Sequence, residues 1–262
     1  MRALIDADIV AFRCAATAEG LDVNIALART NDLVDKIIND VGADNYTLYL
    51  TGRGNFRKEL YPEYKAHRTK PPPQHLQACR EYLQMMWQAV ETSGCEADDA
   101  LGVEQVSSIS AEGDDPERPV ELRTIICSID KDLLQIPGRH FNFVKGVQQE
   151  VTLMRGLREF YSQMLIGDVS DNVKGIYGIG PKKAQAMLEG YEDEQGMFDA
   201  VRAAYNNDNQ FLLTGKLLWI WRKENDIWNP SNLMGDTQLD LETLHESMPS
   251  TVGETIQSTE PI

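Results

Sequence analysis

Residues 167–188 read GDVSDNVKGIYGIGPKKAQAML. Three glycines, Gly175, Gly178 and Gly180, separate Asn172 from a helix that opens at Pro181, and proline suits a first helical turn. Such a loop presents backbone N–H groups and a helix N-terminus to a phosphate, and Lys182 and Lys183 add charge beside it. The combination holds a nucleic-acid backbone without reading bases. A plain helix–helix corner, with glycines for tight turns, is the competing reading. It is disfavoured because GIGxKKA follows GDxxDN so closely.

The chain changes character around this segment. Helical patterns cover 155–166, 181–189, 196–206 and 210–223. Upstream, Ala3-Leu4-Ile5-Asp6 reads as a buried strand ending in a carboxylate, 24–41 as a helix and Tyr46–Leu50 as a strand. A helix follows over 74–92, entered through the stiff Pro71-Pro72-Pro73, and another runs from Asp98 to about Ser108. Leu122–Ile129 is a strong strand; Phe141–Val144 and Val151–Leu153 are weaker ones. This order predicts an α/β class with a mostly parallel sheet flanked by helices, followed by a helical part from about residue 155.

The chain has 262 residues and a net charge of −16. That sum argues against a simple basic clamp for nucleic acid, but it hides position. Residues 91–117 and 224–262 hold nine and eight acids with no Lys or Arg, so everything else is nearly neutral. Residues 53–83 are locally basic, with Arg53, Arg57, Lys58, Lys65, Arg68, Lys70 and Arg80 against three glutamates, and Tyr61 and Tyr64 lie among them. Basic residues contact phosphates and aromatics can stack on bases. The cysteines at 14, 79, 95 and 127 form no CxxC pair and the histidines do not cluster near them, which disfavours a zinc site or disulfide framework. Asp6, Asp8 and Arg13 interrupt any signal-peptide core, and no apolar run is long enough to span a membrane. A cytoplasmic protein is expected.

Four acidic groups adjoin apolar elements: Asp6 with Asp8; Glu96, Asp98 and Asp99; Asp130 with Asp132; and Asp168 with Asp171. Acids at several strand ends suit the functional edge of an α/β sheet. Taken singly, Asp98 or Asp99 could cap a helix and Asp168 and Asp171 could form a turn. Taken together, crowded carboxylates repel one another unless cations intervene, and hard oxygen ligands select Mg²⁺ or Mn²⁺. Two such ions about 4 Å apart can clamp the attacking and leaving oxygens of a phosphodiester.

Asp6, YPEYKAHR (61–68), GCEADD (94–99), SIDKD (128–132) and GDVSDNVKGIYGIGPKK (167–183) occur in an order that resembles the 5′→3′ exonuclease and flap-endonuclease superfamily. The likeness covers about residues 2–190, and is greatest to stand-alone bacteriophage exonucleases and the 5′-nuclease domain of bacterial DNA polymerase I. It implies a PIN-like core over 1–154 with a basic gateway at 53–83. A helical subdomain with a helix–three-turn–helix hairpin would occupy 155–230, and composition gives an acidic, loosely ordered tail over 231–262. The resemblance assigns Asp6, Glu96, Asp98 and Asp99 to a first metal cluster and Asp130, Asp132, Asp168 and Asp171 to a second, with Mg²⁺ or Mn²⁺ as two ions. Lys65 and Arg68 would hold the scissile phosphate, and Tyr64 would stack on the terminal nucleotide. Arg53, Arg57, Lys58, Lys70, Gly178, Gly180, Lys182 and Lys183 would contact DNA. Main-chain carbonyls of Val173, Ile176 and Ile179 would hold a K⁺ ion.

Two departures stand out. The family's acid after the second core strand is absent from Leu50-Thr51-Gly52-Arg53, and Asp8 is the candidate substitute. The segment from Arg68 to Gln74 is short and proline-rich, leaving little room for a helical arch. The expectation is a monomeric, metal-dependent 5′→3′ exonuclease acting on duplex, nicked or flapped DNA ends and leaving 5′-phosphates, in phage replication or recombination within the host cytoplasm. The alternatives are a 5′-acting RNase on RNA–DNA hybrids and a catalytically weak, structure-specific DNA-binding protein.

Overall fold

A computed structural model describes residues 1–113 and 124–234, with side chains described to 109 and from 124. The acidic segment beyond 113 and the tail from 235 onward lie outside the described residues. Residues Met1–Asn229 form one compact unit, so the expected boundary at 154 falls inside it; Pro230 begins a second unit.

Six strands form the central sheet in the order β3-β2-β1-β4-β5-β6. They are β1 (Arg2–Asp6), β2 (Asn45–Arg53), β3 (Val90–Ser93), β4 (Thr124–Cys127), β5 (Gly138–Asn142) and β6 (Val147–Val151). All neighbours are parallel except β5 and β6. Side chains alternate across the pleat. Ala3 and Ile5 therefore join Leu48, Leu50, Ile125 and Cys127 on one face, under α1 (Ala7–Thr17), α2 (Val23–Val41) and α4 (Leu76–Trp87). Leu4 and Ile126 point the other way, to Leu101 of α5 (Ala97–Gly113), Leu133, Ile136 and Ile220. The short α3 (Phe56–Leu60) follows β2.

Two local readings change. Helix α1 was not expected, yet Ala7, Val10, Ala11, Cys14 and Ala15 form its buried face. Its polar neighbours Asp6, Asp8 and Arg13 mask a stripe built mainly from small residues. The helix expected over 74–92 ends at Trp87, because Gln88 turns left-handed (φ 54°) and Ala89 N–H closes on Leu83 O at 3.1 Å. Val90 then starts a strand rather than ending a helix.

The helical half comprises α6 (Leu153–Ile166), a two-stranded ribbon of β7 (Gly167–Asp168) and β8 (Val173–Lys174), α7 (Pro181–Leu188), α8 (Glu194–Ala204) and α9 (Asp208–Leu218). The ribbon needs glycine: a Cβ on Gly167, whose φ is +77°, would sit 2.2 Å from Gly175 N. After α9, Trp219 packs edge-on against Phe160 at 4.9 Å and Trp221 stacks on Phe56 at 5.2 Å. Both were expected on a helix, which instead ends at Leu218.

Candidate active site

Parallel pairing places Ile5 beside Cys127, so the next residues, Asp6 and Ser128, emerge together at the carboxyl ends of β1 and β4. Ser128 Oγ donates to Asp6 Oδ2 at 2.7 Å, while Asp6 Oδ1 accepts from Ile9 N and caps α1. The turn after β4 brings in Asp130, whose N–H is held by Ser128 Oγ and whose Oδ1 accepts from Asp132 N. Glu96 and Asp98 arrive from the start of α5. These acids line one cleft of about 680 Å³ with Asp8, Lys58, Lys65, Arg68 and Asp171.

The electrostatics of the cleft are those of unneutralised negative charge. Burial, then the charges of Asp8 and Asp130, push Asp6 up to about 7 although Ser128 and Ile9 hydrogen-bond its anion. Burial, then Asp6, Asp130 and Glu96, hold Asp98 well above the carboxylate range. Asp132 is pushed up to about 7 by burial, then by Asp130, Asp168 and Asp171. Glu96 goes the other way: burial alone would raise it, but Lys65 and Arg57 together pull it below its ordinary value. Among the described residues no three acid, histidine or cysteine side chains already stand as a metal cage.

Several expected roles are corrected. Asp99 is fully buried and forms a bidentate pair with Arg57 at 2.6 and 2.8 Å, and it also accepts from the N–H groups of Glu96 and Trp221. Its lone pairs are taken by protein donors, so it is a structural acid rather than a cleft ligand. Arg57, expected on the DNA surface, is buried, and two of its three remaining N–H groups go to Leu217 O and Trp219 O. Tyr64 is buried as well and cannot stack on a nucleotide; its hydroxyl donates to Asp171 at 2.7 Å and reaches Glu96 at 3.0 Å. Asp8 lines the cleft but is paired with Arg80 and accepts from Thr51 N at 2.8 Å. Asp168 lines an adjoining hollow with Asp130 and Asp132, within hydrogen-bond reach of Asp132, and its Oδ1 accepts from Ser170 N and Oγ.

Position 52 has no room for an acid. A Cβ on Gly52 would fall 2.0 Å from Thr92 O, where β2 and β3 shift register. The neighbouring Thr51 Oγ1 is used to accept Ala97 N–H at the start of α5.

Lys65 and Arg68 do reach the cleft. Lys65 Nζ lies 2.5 Å from Glu96 Oε1, and Arg68 Nη2 lies 2.6 Å from Asp171 Oδ1. Arg53, Lys58 and Lys70 are exposed, as are Gly178, Gly180, Lys182 and Lys183. Gly178 takes φ +79° and Gly180 caps α7, with Pro181 in its first turn. Among the carbonyls expected to hold K⁺, that of Ile176 accepts Ile179 N–H at 3.1 Å, while Val173 lies in β8. Ser128 and Asn55 were missed by sequence reading. Asn55 caps α3 and donates to Glu96 Oε1 at 3.0 Å. Ser128 had a signal, its place directly after a buried strand; Asn55 had only its helix-capping type.

Carboxylates at the carboxyl ends of parallel strands, Lys65 and Arg68 in the same cleft and a glycine hairpin in the helical half define an α/β protein with an acidic cleft at the ends of its sheet. The family described as "5'-3' exonuclease, N-terminal resolvase-like domain" matches residues 2–163, and the chain belongs to that family. It is 30% identical over 181 residues to DNA polymerase I of Caldicellulosiruptor bescii, covering 61% of this chain and 20% of the polymerase. Flap endonuclease Xni of Shewanella baltica is 30% identical over 177 residues, covering 62% of this chain and 63% of that protein. The chain thus spans less than two thirds of the length of these relatives. Among solved structures, the bacteriophage T5 flap endonuclease in a pseudo-enzyme–product complex with DNA and metal ions superposes with a TM-score of 0.64 at 15% identity, covering 83% of this chain and 88% of that one. The T5 5′-exonuclease with divalent zinc bound gives 0.60 at 16% identity, over 83% and 89%. At such identities the agreement shows the fold.

Proposed function

We propose that this protein is a divalent-metal-dependent nuclease that hydrolyses phosphodiesters at the 5′ ends of DNA and leaves 5′-phosphates. One observation carries the reading: Asp6, Asp98, Asp130 and Asp132 share a cleft with Lys65 and Arg68. The donor set fits Mg²⁺ or Mn²⁺, being hard oxygen ligands whose burial and mutual repulsion outweigh the help of Ser128 and Ile9 to Asp6 and of Lys65 to Asp98. Asp6, Asp98, Asp130 and Asp132 would hold the ions, which when bound activate water and offset charge at phosphorus. Ser128 keeps Asp6 and the Asp130 turn oriented. Lys65 and Arg68 would receive the scissile phosphate and stabilise its growing charge. The loop 175–180, exposed at Tyr177, Gly178 and Gly180, and the N-terminus of α7, with Lys182 and Lys183, would hold the duplex backbone; a K⁺ ion in that hairpin belongs to the same proposal.

Between Leu60 and Leu76 the gateway contains turns and no helix. That favours action on duplex and nicked ends over threading of a long flap. The names of the relatives, a DNA polymerase and a flap endonuclease, support DNA as substrate. The test compares 5′-labelled blunt, nicked and flapped DNA, plus an RNA–DNA hybrid, in Mg²⁺ or Mn²⁺ and in EDTA. Hydrolysis should need the metal, and Asp98→Asn and Asp130→Asn should each lower it at least about a hundredfold with DNA still bound. Binding without cleavage in any metal would leave a DNA-binding protein instead.

A further inference from the structure

We infer that Asp171 is a positioning residue that latches the gateway (63–68) to the 170–172 loop and so aims Lys65 and Arg68 into the cleft. The resemblance makes Asp171 a metal acid, but its surroundings are those of a structural hub. Oδ1 accepts from Arg68 Nη2 at 2.6 Å; Oδ2 accepts from Tyr64 hydroxyl at 2.7 Å and lies 3.4 Å from Lys65 Nζ. Its main-chain carbonyl accepts Lys65 N–H at 2.9 Å. The residues on either side complete the seam: Ser170 O accepts from Arg68 Nε at 3.1 Å, and Asn172 Nδ2 donates to Glu63 O at 2.9 Å.

The backbone agrees. Lys65 has φ +57°, a left-handed conformation that an L side chain adopts only where its surroundings impose it. Here the imposing bond is the one from Lys65 N–H to Asp171 O, and the turn it stabilises sends Nζ towards Glu96. Residues 63–68 belong to no helix, so these bonds to loop 170–172, together with those of Tyr64 and Lys65 to Glu96, set their place. Asp130 differs: its N–H donates to Ser128 Oγ, its carboxylate accepts the N–H of Asp132, and it meets no cation within ion-pair distance among the described residues. The two acids therefore have separate tasks, one holding the cationic side chains and the other left for a metal. That the aimed cations meet a phosphate rests on the nuclease reading; the latch itself does not.

The experiment uses the full chain without DNA or metal. Trypsin cleavage after Lys65 and Arg68 is followed by mass spectrometry. Opening the latch should speed nicking there roughly tenfold in Asp171→Ala, the scale of losing one charge-assisted hydrogen bond. Asp171→Asn, which keeps an acceptor oxygen, should be intermediate, and Asp130→Asn should match the parent. Calorimetric titration with Mn²⁺ should show weakened binding for Asp130→Asn and parental binding for Asp171→Asn. If Asp171→Ala is nicked along its whole length it has lost its fold, and Asp171→Asn then decides. Parental nicking in Asp171→Asn as well as Asp171→Ala, or Mn²⁺ binding by Asp171→Asn as weak as that of Asp130→Asn, overturns the inference. Faster nicking in a protein that cleaves no nucleic acid would leave the latch standing and remove the nuclease reading alone.

Discussion

Arg57 is enclosed by Asp99 and by the carbonyls of Leu217 and Trp219 at the end of α9, so without Asp99 its buried charge would keep only Glu96, 3.9 Å away, as a counter-ion. Breaking such a pair costs about 3–5 kcal/mol. Asp99→Asn is expected to lower urea-unfolding stability on that scale, and Arg57→Met with Asp99→Leu to lose less than the two single changes combined. Losses below about 1 kcal/mol for Asp99→Asn would show that the pair behaves as an exposed one. This is also where the sequence was least legible. Arg57 has the same neighbours in the chain as a surface cation, and its partner lies 42 residues away. The carboxylates at strand ends were legible because burial on both sides of a short apolar run leaves few structural reasons for an acid. Their protonation gives a second test at this scale. Asp6 and Asp132 are raised from 3.8 to about 7, mainly by burial. Between those values the folded chain keeps protons that the unfolded chain has released, so stability falls as pH rises through that window. Without divalent ions the urea midpoint should drop from pH 5 to pH 8. Mg²⁺ should restore it at pH 8 and add little at pH 5. A flat profile that Mg²⁺ does not change would separate these acids from metal binding.

At the scale of elements, the β2–β3 edge explains why position 52 carries no side chain. The register shift that follows Leu50 presses Gly52 against Thr92 O. Gly52→Asp must therefore move a strand, with a loss expected above about 2 kcal/mol. Thr51→Asp has an outlet, because a carboxylate there can still accept Ala97 N–H and sits near a helix N-terminus. It should fold within about 1 kcal/mol of the parent and bind Mn²⁺ more tightly; the reverse order of stabilities in urea would refute the steric account. Strands and helices with one strong apolar period, such as β1, β4 and α6, were readable from the sequence. The boundary at Gln88 was not, since it depends on one residue turning left-handed and on Val90 finding Tyr49 beside it.

For the whole molecule, the net charge of −16 misleads because the charges are segregated. Glu96, Asp98, Asp130 and Asp132 face a cleft suited to cations. The exposed Lys182 and Lys183 stand at the first turn of α7, beyond the glycine loop. A protein of this sign should hold DNA through few phosphate contacts, each releasing condensed counterions. Binding measured in Ca²⁺ against rising salt should therefore show a shallow slope. Lys182→Ala and Lys183→Ala should each reduce that slope by about one and weaken binding alike for unrelated duplex sequences. Arg57→Met should leave the slope unchanged, since its guanidinium never meets solvent. If Lys182→Ala and Lys183→Ala keep the parental slope while Arg57→Met lowers it, the DNA runs past the gateway alone and the hairpin is a corner between helices.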